Sequence, residues 1–304
     1  MKSKFSGIGR WAAGIAAAGL TAALGLPAMA AADKLGQPTD GAIDLQPAAT
    51  ELRQHAIDFH NMLLFIITAI TLLVLALLLW CIVRYNRRAN PTPAKFTHNT
   101  MVEVIWTAGP VLILLVIAIF SFRLLFQYHD MPPPYMTVKA TGYQWYWGYE
   151  YPDQKIPEQT STLLPEDQAK ARGVPYRLAT TQPMIAPVGK VVRVLTTGAD
   201  VIHSFSVPAF GIKIDAVPGR VNQTWFKATT TGTFYGQCSQ LCGVDHAFMP
   251  IEVKVVSQPE FDAWVASKAT PPAPAASNTA AAPASPSAAP AASNAAAPAA
   301  APAR

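Results

Sequence analysis

Two long apolar stretches dominate the first half of the chain. Phe59–Val83 and Val104–Phe122 contain no Asp, Glu, Lys or Arg and are rich in Leu, Ile and Val. Because a helix rises about 1.5 Å per residue, each stretch is long enough to cross a hydrocarbon core of roughly 30 Å. We therefore predict a two-helix transmembrane hairpin over residues 58–127, with spans at about 59–83 and 104–124.

The hydrophobic pattern changes after the hairpin. Short runs rich in Val, Thr and aromatic residues alternate with Pro- and Gly-containing segments; they are Met136–Ala140, Val191–Leu195, Val221–Phe226 and Ile251–Val256. Several short strands at such spacing are typical of a β-sandwich or small barrel. Residues 128–268 are thus predicted to form one all-β domain.

The two ends of the chain have the composition of processing or linking segments. Residues 1–30 combine three basic residues, an Ala-rich apolar run and the small-x-small sequence Ala28-Met29-Ala30, which predicts a cleaved signal peptide; a retained helix is the alternative. Residues 31–57 then form an exported N-terminal segment. The tail at 269–304 is almost wholly Ala, Pro, Ser and Asn, which predicts disorder.

Composition and charge support a membrane protein and give no sign of a nucleic-acid-binding face. Hydrophobic residues make up 51% of the chain and charged residues 13%, and the net charge is +5. That excess lies in residues 1–30 and in the loop between the spans, whereas residues 127–268 are neutral. Because the loop carries Arg84, Arg87, Arg88 and Lys95 and no acid, it is predicted to be cytoplasmic, with both termini outside.

A dense group of soft donor residues lies in the second half of the chain. Cys238, Cys242, His246 and Met249 fall within twelve residues, and His203 lies upstream. Two thiolates, two imidazoles and a thioether favour copper, and two thiolates can bridge two copper ions. A disulfide beside structural His and Met residues is one alternative. Zinc is another, although Met is a poor zinc ligand and the spacing of the two cysteines fits zinc ribbons badly.

Four motifs together resemble one known family. They are the aromatic run 142–151 (GYQWYWGYEY), residues 200–205 (DVIHSF), residues 213–220 (KIDAVPGR) and the Cys/His/Met string at 238–249. With the predicted hairpin, they make residues 45–265 similar to subunit II of cytochrome c oxidase. The resemblance implies a cupredoxin-like Greek-key domain holding a binuclear copper centre, CuA. Its ligands would be His203, Cys238, the Gln240 backbone carbonyl, Cys242, His246 and Met249.

Gln240 departs from the family pattern, which usually has Glu at this position. A backbone carbonyl ligand survives the change, because every residue has one. The family's carboxylate also helps to hold a magnesium ion at the boundary with subunit I, and a neutral amide oxygen is a weaker ligand for that hard cation. We therefore expect the copper role of Gln240 to be kept and its magnesium role to be weakened.

The resemblance also assigns roles outside the metal ligands. Trp145 matches the aromatic residue that accepts an electron from cytochrome c. The residues that match partner-docking positions are Gln144, Tyr146, Glu150, Asp153 and Asp200. Glu103, at the cytoplasmic start of the second span, matches a residue near the mouth of a proton path; the alternative is a first-turn acid that complements the helix dipole. If the aromatic run is one extended strand, Tyr143, Trp145, Trp147 and Tyr149 share a face.

These features predict the electron-accepting subunit of a respiratory oxidase in a bacterial-type plasma membrane. Electrons would come from cytochrome c and pass through CuA to haem in subunit I, where oxygen is reduced with coupled proton translocation. Subunit III and membrane lipid are the further expected partners, and no nucleic acid. Quinol oxidases lack the copper ligands. Two other functions stay open: a membrane-anchored copper carrier or assembly factor, and, more remotely, a nitrous oxide reductase.

Overall fold

The computed structural model describes residues 34–92 and 94–268. The predicted signal peptide at 1–30 and the predicted tail at 269–304 lie outside the described residues.

Two long helices follow the N-terminal segment. Helix α1 spans Glu51–Arg84 and helix α2 spans Thr100–His129, and each begins at a capping side chain. The Thr50 hydroxyl accepts a hydrogen bond from the Arg53 amide, and the Asn99 side chain accepts one from the Val102 amide. Both helices are long and apolar enough to cross a membrane, and both extend beyond the predicted spans toward the polar ends.

Ten strands and two short helices form the rest of the described chain. The strands are β1 (Met136–Tyr143), β2 (Tyr146–Tyr151), β3 (Ile156–Ser161), β4 (Met184–Pro187), β5 (Val191–Gly198), β6 (His203–Val207), β7 (Ile212–Ala216), β8 (Asn222–Lys227), β9 (Gly232–Cys238) and β10 (Pro250–Val256). Helix α3 (Glu166–Arg172) follows β3, and helix α4 (Gln258–Lys268) follows β10. All four of the sequence-predicted strand segments are therefore strands.

The strands form two five-stranded sheets. One has the order β3-β2-β1-β5-β8 and the other the order β4-β10-β9-β6-β7. The pairs β1–β5 and β4–β10 are parallel, and the other pairs are antiparallel. Strand β5 shows why the sheets pack: its side chains alternate between buried and half-buried, as expected when one face lies on a core. The predicted β-sandwich is confirmed.

Aromatic side chains fill the space between the sheets. Trp147 and Phe205 meet edge-to-face with ring centroids 5.5 Å apart, and Phe210 stacks on Phe226 at 4.5 Å. All four rings are fully buried. Burying an aromatic ring contributes several kilocalories per mole at most positions, so this cluster is a main source of domain stability.

The expectation of one extended strand through the aromatic run is wrong. The chain reverses at Gln144 and Trp145, which are joined by a cis peptide bond, and β1 and β2 form a hairpin around this turn. Tyr143 and Tyr146 are therefore paired across the hairpin, with stacked rings 4.6 Å apart. Trp145 projects from the turn instead of sharing a strand face with Trp147.

Hydrogen bonds tie both helices to the β-domain. The Thr50 hydroxyl donates to the Phe210 carbonyl at 2.8 Å, and the Tyr128 hydroxyl donates to the Gly211 carbonyl at 2.9 Å. The Trp225 indole N–H donates in turn to the Tyr128 carbonyl at 3.2 Å. The start of α1 and the end of α2 are thus held by the same side of the sandwich.

The N-terminal segment also packs on the domain, and Gly36 makes its closest approach. The Gly36 carbonyl accepts a hydrogen bond from the Tyr235 amide at 2.7 Å. Gly36 has φ +83°, and a Cβ added to it would lie 2.6 Å from the Thr233 carbonyl oxygen. Gly41 has a similar φ of +73° but open space around it. The two glycines therefore differ in packing and not in backbone conformation.

This difference gives a test of how the segment is held. We expect Gly36→Ala to release the segment and to raise the hydrogen-exchange rate of the Tyr235 amide about tenfold or more, because the new methyl group collides with backbone. Gly41→Ala should change that rate much less. Equal exchange in the two variants would show that the close packing at Gly36 is not what holds the segment.

Candidate metal centre

The soft donors are brought together by three neighbouring strands and one loop. His203 begins β6 and Cys238 ends β9, and the pairing of Phe205 with Cys238 places these strand ends side by side. The loop after Cys238 carries Cys242 and His246, and Met249 immediately precedes β10. Since β10 pairs with β9, the loop returns to the place where it began.

The donor atoms lie within a few ångströms of one another. Cys238 Sγ is 3.9 Å from Cys242 Sγ and 4.0 Å from His203 Nδ1. Cys242 Sγ is 3.5 Å from His246 Nδ1 and 3.4 Å from Met249 Sδ. The Gln240 carbonyl oxygen, the remaining predicted ligand, is 3.3 Å from Cys238 Sγ. All six predicted copper ligands therefore converge on one site.

The two cysteines are free thiols in this structure. A disulfide bond has a sulfur–sulfur distance of about 2.05 Å, well below the separation found here. His203, Cys238 and Cys242 are buried, and their ligating atoms lie within 4.8 Å of one another. A thioether in contact with a thiol at such a site favours copper over zinc. The donor set therefore fits copper.

The environments of the two thiols differ strongly. Burial opposes ionisation of Cys238, but its hydrogen bond with His203 and those from neighbouring backbone lower its pKa to about 7. Burial and the nearby charge of Cys238 raise the pKa of Cys242 to about 12. Without metal, the two thiols therefore lose one proton readily and the second with difficulty. Bound cations would neutralise the negative charge of both thiolates.

Comparison with known proteins agrees with this donor set. Residues 136–256 match the family described as cytochrome c oxidase subunit II, periplasmic domain, and residues 38–124 match the transmembrane domain of the same subunit.

The chain belongs to the cytochrome c oxidase subunit II family.

Its relatives share most of its length. A Rickettsia bellii protein named probable cytochrome c oxidase subunit 2 is 46% identical over 237 residues, which cover 76% of this chain and 86% of the relative. Cytochrome c oxidase subunit 2 of Cereibacter sphaeroides is 44% identical over 266 residues, covering 82% and 88%. The crystal structure of the periplasmic domain of subunit II of Bradyrhizobium japonicum cytochrome oxidase is 54% identical, covering 46% of this chain and 96% of that chain, with a TM-score of 0.43.

Family membership confirms the coarse sequence predictions. The chain is a membrane protein with a transmembrane hairpin followed by a cupredoxin-like β-domain, and it is a subunit of a cytochrome c oxidase. Its buried His/Cys/Cys group fits the copper that the sequence predicts.

Asp200 lies against His203, one of the predicted metal ligands. Its Oδ1 is 2.8 Å from His203 Nε2, and its two oxygens also accept hydrogen bonds from the Val201 and Gln144 amides. Although burial opposes ionisation, these hydrogen bonds hold the pKa of Asp200 below its usual value. Because the Asp200 carboxylate bonds Nε2 of His203, the other ring nitrogen, Nδ1, is left facing Cys238 Sγ and would bind the metal. Sequence reasoning assigned Asp200 to docking and missed this contact.

The turn between β1 and β2 is hydrogen-bonded to the loop between Cys238 and Met249, which we call the metal loop. Gln144 Nε2 and Trp145 Nε1 both donate to the Cys242 carbonyl, at 2.8 and 3.2 Å. A Cβ added to Gly243 would lie 2.9 Å from the Trp145 ring, so only glycine permits this approach. Gly142 likewise packs closely against the His203 ring, because a Cβ added to it would lie 2.7 Å from two ring carbons. Neither of these two close contacts was predicted from the sequence.

The other residues that match docking positions form two groups. Gln144 bonds the Cys242 carbonyl and Asp200 bonds His203, and Tyr146 follows in the same turn at the start of β2. Glu150 and Asp153 lie toward the other end of β2, about 13 Å or more along the strand from Tyr146. Glu150 pairs with Lys139 at 3.2 Å, and Asp153 accepts a hydrogen bond from the Thr137 amide. The five residues therefore do not form one acidic cluster.

The Gln240 side chain and Glu103 lie outside the predicted copper site, whereas the Gln240 carbonyl belongs to it. The Gln240 side chain is exposed and offers one neutral oxygen. Within residues 34–92 and 94–268, His203 and the two cysteines form the one group of His, Cys, Asp and Glu residues whose geometry could hold a metal ion. Glu103 lies in the first turn of α2, where its charge complements the helix dipole.

Replacing Asp200 tests whether it orients the copper ligand. We expect Asp200→Asn to lower the affinity of the site for copper(I) about 10- to 100-fold, because a single amide oxygen cannot replace both the carboxylate oxygen at His203 and the one that accepts from the Gln144 amide. Competition against a copper(I) chelator measures this, and Glu150→Gln is the matched control. Equal affinities in the two variants would leave Asp200 with a surface role only.

Proposed function

We propose that this chain is the electron-accepting subunit of a respiratory cytochrome c oxidase. It takes electrons from cytochrome c at a binuclear copper centre and passes them to haem in subunit I, where oxygen is reduced with coupled proton translocation. The observation that carries the proposal is the hydrogen bond from the Trp145 indole to the Cys242 carbonyl. It links a partly exposed aromatic ring directly to a residue whose thiolate would bridge the metals.

The donor geometry supports two copper ions. Cys238 Sγ and Cys242 Sγ lie 3.9 Å apart, with His203 next to the first and His246 next to the second, so both thiolates and both imidazoles would hold the two ions. Met249 and the Gln240 carbonyl are then left as weak ligands, each near a different cysteine. When bound there, the two copper ions would supply one-electron transfer.

The surface around Trp145 supports partner docking at this end of the domain. Gln144 is exposed, Trp145 and Tyr146 are half-buried, and Asp200 adds a carboxylate beside them. Opposite charges on a partner would raise the rate of encounter and orient it. We include Glu150 and Asp153 in the proposed docking surface. Glu150 also pairs with Lys139, and Asp153 also accepts a hydrogen bond from the Thr137 amide.

The membrane arrangement follows from the same proposal. The basic loop between the helices would be cytoplasmic, so the β-domain and both termini would face outward in a bacterial-type plasma membrane. Glu103 would then lie at the cytoplasmic side, where a proton path into subunit I could begin. Subunit III and membrane lipid complete the proposed set of partners.

A copper carrier or assembly factor is supported less well. Such a protein needs ligands that exchange metal readily and are therefore open to a partner. Here His203, Cys238, Cys242 and Met249 are 0%, 5%, 4% and 1% exposed. Burial of this degree favours a resident metal.

Counting the metals tests the binuclear centre. The purified full-length protein, loaded with copper, should hold two copper ions per chain and show a paramagnetic spectrum of one electron shared equally by two nuclei. Met249→Leu should alter that spectrum without halving the copper content, because a weak ligand is lost and both thiolates remain. One copper per chain with a single-nucleus hyperfine pattern would contradict the proposal.

Electron uptake tests the role of the Trp145 contact. Gly243→Ala should push the indole off the Cys242 carbonyl and slow reduction by cytochrome c about tenfold, within the range that a displacement of about 1 Å costs other reactions. Trp145→Phe should slow it as well, since the N–H donor is lost. Gly232→Ala is the matched control, because Gly232 has a similar φ of +146° against +129° for Gly243 and only ordinary contacts. The proposed route is wrong if Gly243→Ala and Gly232→Ala react alike while the copper spectrum is intact.

A further inference from the structure

A cavity of about 670 Å³ lies where the two helices meet the β-domain. Its charged lining residues are Glu51 on α1, Arg123 and Asp130 at the end of α2, and Lys227 on β8. Because the helices enter the membrane from the domain side, this cavity lies at the boundary between water and lipid. Trp225 also lines it, and Trp is enriched at that boundary.

The cavity continues as a groove along one side of the hairpin. A second cavity of about 320 Å³ shares Arg123 with the first and is also lined by Phe59, Met62 and Phe120. A third, of about 400 Å³, lies deeper between Phe65–Ile70 and Leu112–Val116 and is lined only by apolar residues. The groove therefore changes from charged to apolar with increasing depth in the membrane.

Residue spacing shows that the deeper walls belong to continuous helix faces. On α1 the lining residues recur at three- and four-residue intervals, as in Phe59, Met62, Ile66 and Ala69. On α2 the same spacing appears in Ile113, Val116, Phe120, Leu124 and Gln127. Side chains at these intervals form one stripe along a helix, so the cavities follow the same seam.

The charged groups of the mouth have no partners within the described chain. None of Glu51, Arg123, Asp130 and Lys227 forms a salt bridge to another residue of 34–92 or 94–268. Arg123 lies within a helix of the transmembrane hairpin, where an unpaired charge is costly. Two cations and two carboxylates at one mouth match a ligand that carries one charge of each sign.

We propose that this groove binds one zwitterionic phospholipid of the phosphatidylethanolamine type. Arg123 and Lys227 bind the phosphate, and Glu51 and Asp130 bind the ammonium group. One acyl chain lies along the apolar seam between Phe59 and Ile70 on α1 and Leu112–Phe120 on α2. A free phosphate ion would satisfy the cations but would leave the carboxylates and the apolar seam unused, so the observations favour the lipid.

The headgroup contacts can be tested by counting bound lipid. The full-length protein is purified from membranes in mild detergent with its accompanying subunits, and phosphatidylethanolamine per complex is measured by native mass spectrometry. Arg123→Gln and Lys227→Gln should each lower occupancy about tenfold, as loss of a charge-assisted hydrogen bond would. Arg84→Gln is the matched control, because it removes an exposed Arg at the other end of α1. An unchanged lipid count in both groove variants would overturn the proposal.

The acyl chain position can be tested independently of the headgroup. Phosphatidylethanolamine carrying a photoactivatable acyl chain should label peptides of α1 and α2 that line the groove, and Arg123→Gln should reduce that labelling. Metal content reports whether each variant is assembled. If Arg123→Gln does not assemble, Lys227→Gln decides, because it lies on the β-domain. A photoreactive residue in place of Phe120 that cross-links to another protein subunit instead of lipid would show that the groove is a subunit contact and overturn the proposal.

Discussion

The pairing of β6 with β9 determines where the metal ligands can be. Phe205 lies opposite Cys238 in this pairing, and the Ser239 amide donates to the Ser204 carbonyl just beyond it. His203, two residues before Phe205 on the same strand face, is therefore fixed beside Cys238 although 35 residues separate them in sequence. The return strand β10 does the same for Met249, whose carbonyl accepts a hydrogen bond from the Cys238 amide. Sheet register thus fixes three of the six predicted donors, and the loop places the other three, which are the Gln240 carbonyl, Cys242 and His246.

A second set of contacts joins the metal loop to the β1–β2 turn. Asp200 bonds both the Gln144 amide and the His203 ring, while Gln144 and Trp145 share the Cys242 carbonyl. Each partner therefore limits the freedom of the other, although most of the loop between Cys238 and Met249 is exposed. A shift of the turn would disturb both the proposed path of electrons through Trp145 and the orientation of the His203 ring. This shared dependence explains why glycine is required at the closest approach, where Gly243 meets the indole.

Sequence reasoning predicted the features that depend on local pattern and on residue chemistry. The hairpin follows from two uncharged apolar runs, the sandwich from short strands, and the donor set from the rarity of two cysteines, a histidine and a methionine in twelve residues. It failed in the aromatic run, because no Gly or Pro marks the reversal at Gln144 and Trp145. Asp200 bonds the Gln144 amide, Gly142 packs against His203, and Gly243 packs against Trp145. Each contact joins segments that are far apart in sequence, so no local pattern could reveal it.

Hydrogen bonds hold the helical hairpin and the β-domain in a fixed arrangement. Domains joined by a flexible linker move relative to one another, whereas here the Thr50 hydroxyl and the Tyr128 hydroxyl reach adjacent carbonyls of Phe210 and Gly211. The N-terminal segment adds a further attachment through Gly36 and Tyr235. In the proposed function, the domain would exchange electrons with a partner on one side and with a membrane subunit on the other, which requires both distances to stay constant. Hydrogen bonds from the helix ends into the sandwich meet this need, because they fix the metal site relative to the membrane without a linker.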